Sequence, residues 1–364
     1  MLGFNKKQRI GAYIFGCAGR ELTPEEASFF AAHKPLGFIL FRRNIDTPEQ
    51  VRALIRDLKA AAGHDHVLCL IDQEGGRVQR LRPPHWPDYP AAARFEAVSG
   101  NIYEQREYVR LGARLMAHDL RALGINVDCV PVLDVPQPGA HDIIGDRAYG
   151  LTPQAVAVNG RAAAEGLLAG GVLPVIKHIP GHGRALADSH HELPVVKATL
   201  KELEETDFYP FRVNADLPLA MTAHVVYAAI DKRNPATTSR KVIDLIRKKI
   251  GFQGLLMSDD LSMGALSGSM TVRTKSALRA GCDVLLHCNG NLEEMRSIVA
   301  HAPVLKGKAL ARAEAAFARF VPEVEPLTVD EARARLDYAF HSKPPVVRED
   351  YEDYNDPTAY AGVP

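Results

Sequence analysis

Eight short β-rich runs, each separated from the next by a stretch of helical period, constrain this chain more than any other feature. The runs are Ala12–Phe15, Phe38–Phe41, Val67–Asp72, Asn126–Val130, Leu173–His178, Leu217–Ala223, Leu255–Ser258 and Asp283–His287. Strands that alternate with helices make a parallel sheet, because parallel neighbours need a crossover long enough to hold a helix. Eight such units predict an α/β fold closed into a single (β/α)8 barrel of the TIM type. A doubly wound open sheet is the rival, but no GxGxxG follows the first run. Thr23-Pro24, Thr47-Pro48 and Thr152-Pro153 each place a capping threonine before a proline at the first helical position. Gly37, Gly124, Gly171, Gly251 and Gly281 fall where a helix-terminating glycine is expected.

The length of 364 residues suits one large barrel, and an apolar content of 46% fills its core. The barrel is placed in residues 1–325. Residues 326–364 are read as a helix remnant followed by an extended tail, since from Ser342 the chain is rich in proline and acid with no apolar period. Lys6, Lys7 and Arg9 before the apolar run Ile10–Cys17 imitate a signal peptide ending at a lipidated cysteine. That run is short, broken by Gly11 and holds Tyr13, so it reads as the first strand. Lys+Arg and Asp+Glu both number 44, which argues against nucleic acid or an anionic membrane as partner. No run reaches the ~18 apolar residues of a membrane span. The five cysteines are widely spaced without a CxxC, which fits a reducing, cytoplasmic compartment.

Barrel enzymes carry their chemistry at the C-terminal ends of strands. There this chain places Asp72-Gln73-Glu74-Gly75-Gly76-Arg77-Val78-Gln79-Arg80, then Gly145-Asp146-Arg147. Lys177-His178-Ile179-Pro180-Gly181-His182-Gly183 follows, leading to Asp188-Ser189-His190-His191, and then come His224 and Ser258-Asp259-Asp260. Asp259 ends an apolar strand and could face a ligand or cap a helix. Asp188 and His190 are close enough in an extended loop for the carboxylate to orient the imidazole, although an arbitrary DxH is also an ordinary polar loop. His178, His182, Asp188, His190 and His191 could together ligate zinc, but their spacing matches no helical metal motif, and no metal or cofactor is expected. Arg80, Arg147 and Lys177 with Asp72 read as a cradle for a sugar or carboxylate, or singly as rim salt bridges. The only tryptophan, Trp86, lies in a proline-rich stretch that lines the outer cleft or packs over the barrel edge.

Taken together, IDQEGGRVQRL, KHIPGHG…DSHHELP and MSDDLSM resemble the bacterial β-N-acetylhexosaminidases of glycoside hydrolase family 3, in particular short single-barrel members that recycle cell-wall fragments. The resemblance spans about residues 10–300. It implies Asp259, rather than Asp260, as nucleophile, His190 as acid/base and Asp188 as its partner. It also implies sugar binding by Asp72, Arg80, Arg147, Lys177 and His178. Ile179 stands where the family usually has phenylalanine, and Leu261-Ser262-Met263-Gly264 departs from the commoner form with a charged residue after methionine. The implied reaction removes terminal β-linked N-acetylglucosamine from muropeptides with retention, in a cytoplasmic protein expected to be a monomer. Phosphorolysis by a relative of the same family and a metal-dependent hydrolase are the rival readings.

Overall fold

A computed structural model describes residues 9–99, 101–185, 189, 193–321 and 323–340. Eight parallel strands close on themselves: β1 (Gly11–Phe15), β2 (Pro35–Leu40), β3 (Leu68–Ile71), β4 (Val127–Asp128), β5 (Leu173–Ile179), β6 (Leu219–Thr222), β7 (Leu255–Asp260) and β8 (Val284–His287). β1 completes the ring by pairing with β2 on one side and β8 on the other. This is the (β/α)8 barrel expected from the alternation of runs. Two two-stranded ribbons stand outside it, Gln73–Gly75 with Val78–Gln79 and Val195–Val196 with Val226–Tyr227.

The core has two layers, and strand parity separates them. Ala12, Ile14, Leu36, Ile39, Leu68, Leu70, Val127, Cys129, Leu173, Val175, Leu219, Met221, Leu255, Met257, Val284 and Leu286 form one cluster to which every strand contributes, with one slip of parity on β2 between Leu36 and Ile39, and it fills the barrel. The intervening residues, such as Phe15, Cys69, Ile176, Ala220, Leu256 and Leu285, face the helices. Ala313 and Ala316 of the helix Gly307–Phe317 join the inner cluster. Leu305 beside them donates its backbone N–H to Ile10 at the N-terminal mouth.

Thr23, Thr47 and Thr152 cap α1 (Pro24–His33), α2 (Pro48–Ala62) and α4 (Pro153–Ala169), each side chain accepting a backbone N–H of the first turn. Gly124 and Gly281 end α3 (Ile102–Leu123) and the helix Met270–Ala280 in left-handed conformation. Gly251 does the same after a π turn, and Gly171 follows the Gly170 cap of α4 with φ +76°. Gly37 does not behave as expected. Lys34 (φ 49°) ends α1, and Gly37 lies inside β2, where a Cβ would meet the Leu68 carbonyl at 2.4 Å. The close pairing of β2 with β3, not a helix end, demands glycine there.

β4 is shorter than its run, although the Cys129 N–H still donates to the Ile71 carbonyl and the Val130 carbonyl still accepts from Val175. β7 is longer, continuing through both aspartates. Beyond the barrel, the helix Val329–Phe340 packs on α3 through buried Leu336, and Arg333 pairs with Asp119 at 2.7 Å. No described helix is long and apolar enough to cross a membrane.

Candidate active site

Inward parity continues past the apolar interior, and there the side chains become polar. Two residues beyond Leu70 is Asp72, two beyond Val175 is Lys177, and two beyond Met257 is Asp259. All three line one cavity at the C-terminal mouth. Its floor is Ile39, Phe41, Met221, Leu286 and Cys288, and its walls include Arg147, His178, His182, Ser189 and Asp260.

One wall is a buried ionic lattice. Lys177 Nζ bridges Asp72 (2.7 Å) and Glu74 (2.6 Å). Arg147 binds Glu74 through Nε (2.8 Å) and Nη2 (2.9 Å), while its Nη1 donates to the Ile143 carbonyl at 3.0 Å. Burial raises the Asp72 carboxyl, but Lys177 and Arg80 outweigh it and hold the group below its ordinary value. Glu74 is also pushed up by burial and carried far down by Arg147 and Lys177. Burial would discharge Lys177, yet Asp72 and Glu74 hold its pKa above normal. The lattice therefore stays ionised, with three cations against two carboxylates. It presents fixed donors and acceptors, as recognition of hydroxyl groups requires. Arg80 is on a different footing. Its side chain is wholly buried, reaches Asp72 at 3.3 Å from behind and stacks over Phe41, so it lies off the cavity wall.

Asp134, in the segment after β4, organises the strand-five side. One oxygen accepts the backbone N–H groups of His178 (3.2 Å) and His182 (2.7 Å), and the other stands 2.7 Å from His178 Nδ1. A carboxylate there accepts a hydrogen bond from Nδ1–H and leaves Nε2 for the cavity. Burial raises Asp134, but His178 and His182 bring it below its usual value. His182 is different: burial and His178 lower its ring to about 4, and its Nε2 lies 3.1 Å from Ser189 Oγ. The Ser189 carbonyl accepts the N–H of Ala265. Ser189 is thereby tied to the cavity wall between Asp188 and His190, two residues that lie outside those described.

At the tip of β7 both aspartates line the cavity but their carboxylates are held differently, Asp259 Oδ1 accepting the Asp260 N–H at 2.8 Å. Asp259 faces the cavity, with its N–H donating to Thr222 Oγ1 at 3.3 Å. The Asp260 carboxylate accepts from Ser262 N (3.0 Å), Ser262 Oγ and Cys288 N (3.1 Å), so it is spent on the turn. No helix starts there, and the capping alternative for Asp259 falls away. His224 is a prop for this tip, its ring bonded to Thr237 Oγ1 and the Asp260 carbonyl. Among the described residues no group of three or more His, Cys, Asp or Glu is placed to hold a metal.

Glu74 and Asp134 were not singled out in the sequence. Glu74 stood inside a motif, but nothing in its spacing showed that it, and not the solvent, would face Arg147. Asp134 had only its position after a strand to suggest a role.

A closed parallel barrel whose C-terminal mouth carries carboxylates beside a buried ionic lattice is an architecture on which sugar-processing enzymes are built. The sequence matches the glycosyl hydrolase family 3 N terminal domain over residues 18–321. A beta-hexosaminidase of Thiobacillus denitrificans is 36% identical over 372 residues, 97% of this chain and 99% of that protein. Another, from Alkalilimnicola ehrlichii, is 39% identical over 300 residues, 81% of this chain and 85% of its own length. NagZ from Neisseria gonorrhoeae, solved in complex with N-trifluoroacetyl-D-glucosamine, superposes with a TM-score of 0.77 at 30% identity, covering 91% of this chain and 96% of that one. The chain belongs to glycosyl hydrolase family 3 and is a glycoside hydrolase.

Proposed function

We propose that the chain is a retaining exo-β-N-acetylglucosaminidase that releases terminal β-linked N-acetylglucosamine from muropeptides in the cytoplasm, with Asp259 as its nucleophile. The observation that carries this is the position of Asp259, facing the same cavity as Asp72, Arg147, Lys177 and His178. The beta-hexosaminidase relatives and the bound aminosugar derivative in the Neisseria structure support the choice of sugar. Five free, buried cysteines support a reducing compartment.

In this reading the lattice and His178 hold the hydroxyls of the terminal sugar and set the anomeric carbon before Asp259. The carboxylate attacks that carbon as His190, oriented by Asp188, gives a proton to the departing glycosidic oxygen. Water then gives up a proton to neutral His190 and adds to the same carbon, breaking the Asp259–sugar ester with net retention.

Asp259→Ala is expected to reduce turnover of an aryl β-N-acetylglucosaminide by at least about 10⁴-fold, as loss of a nucleophile does in other hydrolases. The wild-type product should be the β-anomer by NMR. Near-native turnover by the variant would overturn the nucleophile assignment, and sugar 1-phosphate formed in phosphate buffer would turn hydrolysis into phosphorolysis.

A further inference from the structure

Residues 83–98, the far part of the excursion after β3, carry no group of the reaction above, yet both sides of the ionic lattice rest on them. On the Glu74 side the fit leaves no room. A Cβ on Gly75 would meet the Pro90 carbonyl oxygen at 2.3 Å, and one on Gly76 would meet the Ala91 Cβ at 2.5 Å. The Gly76 N–H also donates to the Tyr89 carbonyl at 2.8 Å. On the Arg147 side, a Cβ on Gly150 would meet Glu96 Oε1 at 2.8 Å. Glu74 and Arg147 are thus held against each other over one backing segment.

A helix beyond the matched family domain seats this segment. The family match ends at residue 321, and the helix Val329–Phe340 follows it. Arg333, Leu336 and Phe340 fall at i, i+3 and i+7, on one face of that helix. Asp119 of α3 accepts from Arg333 on one oxygen and from the Tyr89 hydroxyl on the other, both at 2.7 Å. Burial and Asp119 push the Tyr89 pKa up, so its hydroxyl stays a donor. Farther along, Phe340 meets Phe95 edge-on with ring centroids 5.2 Å apart, and Arg94 lies over the Phe340 ring at 5.0 Å. Leu336 and Phe95 share the space over Gly112 of α3, where a Cβ would lie 3.9 and 3.1 Å from them. A charge-assisted bond and an aromatic edge contact each fix orientation as well as distance.

We propose that the helix Val329–Phe340 is a positioning element of the sugar site, with Arg333 and Phe340 as the residues that hold segment 83–98 and, through it, Glu74 against Arg147 and Lys177. The proposal rests on the hexosaminidase reading above, in which the lattice holds the sugar. Its effect falls on sugar binding more than on bond breaking, because the segment backs the lattice and not Asp259, whose N–H is held by Thr222.

The only tryptophan, Trp86, is buried in the segment and reports its seating without substrate. The test removes both grips in Arg333→Ala/Phe340→Ala. The comparison is Arg335→Ala, which strips from the same helix a guanidinium that stacks over Tyr108 of α3 rather than on the segment. Misplacing positioned groups by about 1 Å costs roughly 10²-fold, and a segment still attached at both ends shifts less, so the KM of an aryl β-N-acetylglucosaminide should rise about fivefold or more in the double variant, with kcat within about twofold. Acrylamide quenching of Trp86 should rise with it, while Arg335→Ala matches the wild type in both readouts. A rise in KM of equal size in Arg335→Ala would reduce the helix to general support and overturn the proposal. If the double variant does not fold, Arg333→Ala alone decides: a raised KM supports positioning and an unchanged KM overturns it. A wild type that does not cleave the glycoside overturns the hexosaminidase reading and this proposal with it, whereas an active wild type with an unchanged KM in the double variant overturns the proposal alone.

Discussion

Asp134 shows how one buried carboxylate can govern a site it does not enter. It accepts from three donors at once, the His178 ring and the backbone N–H groups of His178 and His182. Asp134→Asn keeps the shape but turns one acceptor oxygen into an NH2 group, which must face a donor. Leaving such a group unsatisfied costs about 2 kcal/mol, and the His178 ring loses the partner that selects its tautomer. We expect the KM of an aryl β-N-acetylglucosaminide to rise about tenfold or more, with a smaller change in kcat, because His178 is proposed to hold sugar hydroxyls and not the reacting bond. An unchanged KM would limit Asp134 to folding alone. In the sequence Asp134 was one acid among many, since its importance depends on two histidines more than forty positions away.

Among the elements, the strand-five loop depends most on a close approach of backbone. A Cβ on Gly183 would meet the Val135 carbonyl oxygen at 2.0 Å, and the Gly183 carbonyl accepts from Gln137 N at 3.2 Å. The loop is thus seated on the segment after β4, and no side chain fits between them. Gly183→Ala should push the two apart by more than an ångström. Misplacing positioned groups by that amount costs roughly 10²-fold in rate, so kcat/KM should fall by about that factor while far-UV circular dichroism is retained. Activity within threefold of the wild type would show that the loop tolerates the shift. The glycines in K-H-I-P-G-H-G predicted an irregular loop, but which surface it rests on depended on where β4 ended.

For the whole molecule, zero net charge at neutral pH leaves stability to particular buried groups. His182 is neutral in the fold, its pKa lowered from 6.5 to about 4 by burial and His178, and burial lowers His224 in the same direction. Because the folded pKa lies below the unfolded one, unfolding takes up protons between about pH 4 and 6.5. The stability contributed is fully present above the unfolded value and is lost as pH falls toward 4. We expect urea unfolding of the wild type to lose on the order of 2 kcal/mol more between pH 7.5 and 4.5 than that of His182→Gln. Equal losses would place the titrating groups elsewhere. Asp72 and Glu74, both depressed, add an acid limb only below the ordinary carboxylate range.

The sequence alone determined the barrel, its eight strands and the threonine caps, because periodicity and capping are local and repeat along the chain. Its motifs also drew attention to Asp72, Arg147, Lys177, His178 and Asp259, since residues at strand ends in a closed barrel must converge on one mouth. Tertiary structure decided which side chain meets which. It withdrew Arg80 behind Asp72, gave Glu74 to Arg147 and Lys177, and set Asp134 beneath His178. It moved Gly37 from a helix end into a strand. Those outcomes depend on parity, register and the spacing of neighbouring strands, which exist only once the ring has closed. Asp188 and His190 lie outside the described residues, and their part in the reaction is the one that the resemblance implies.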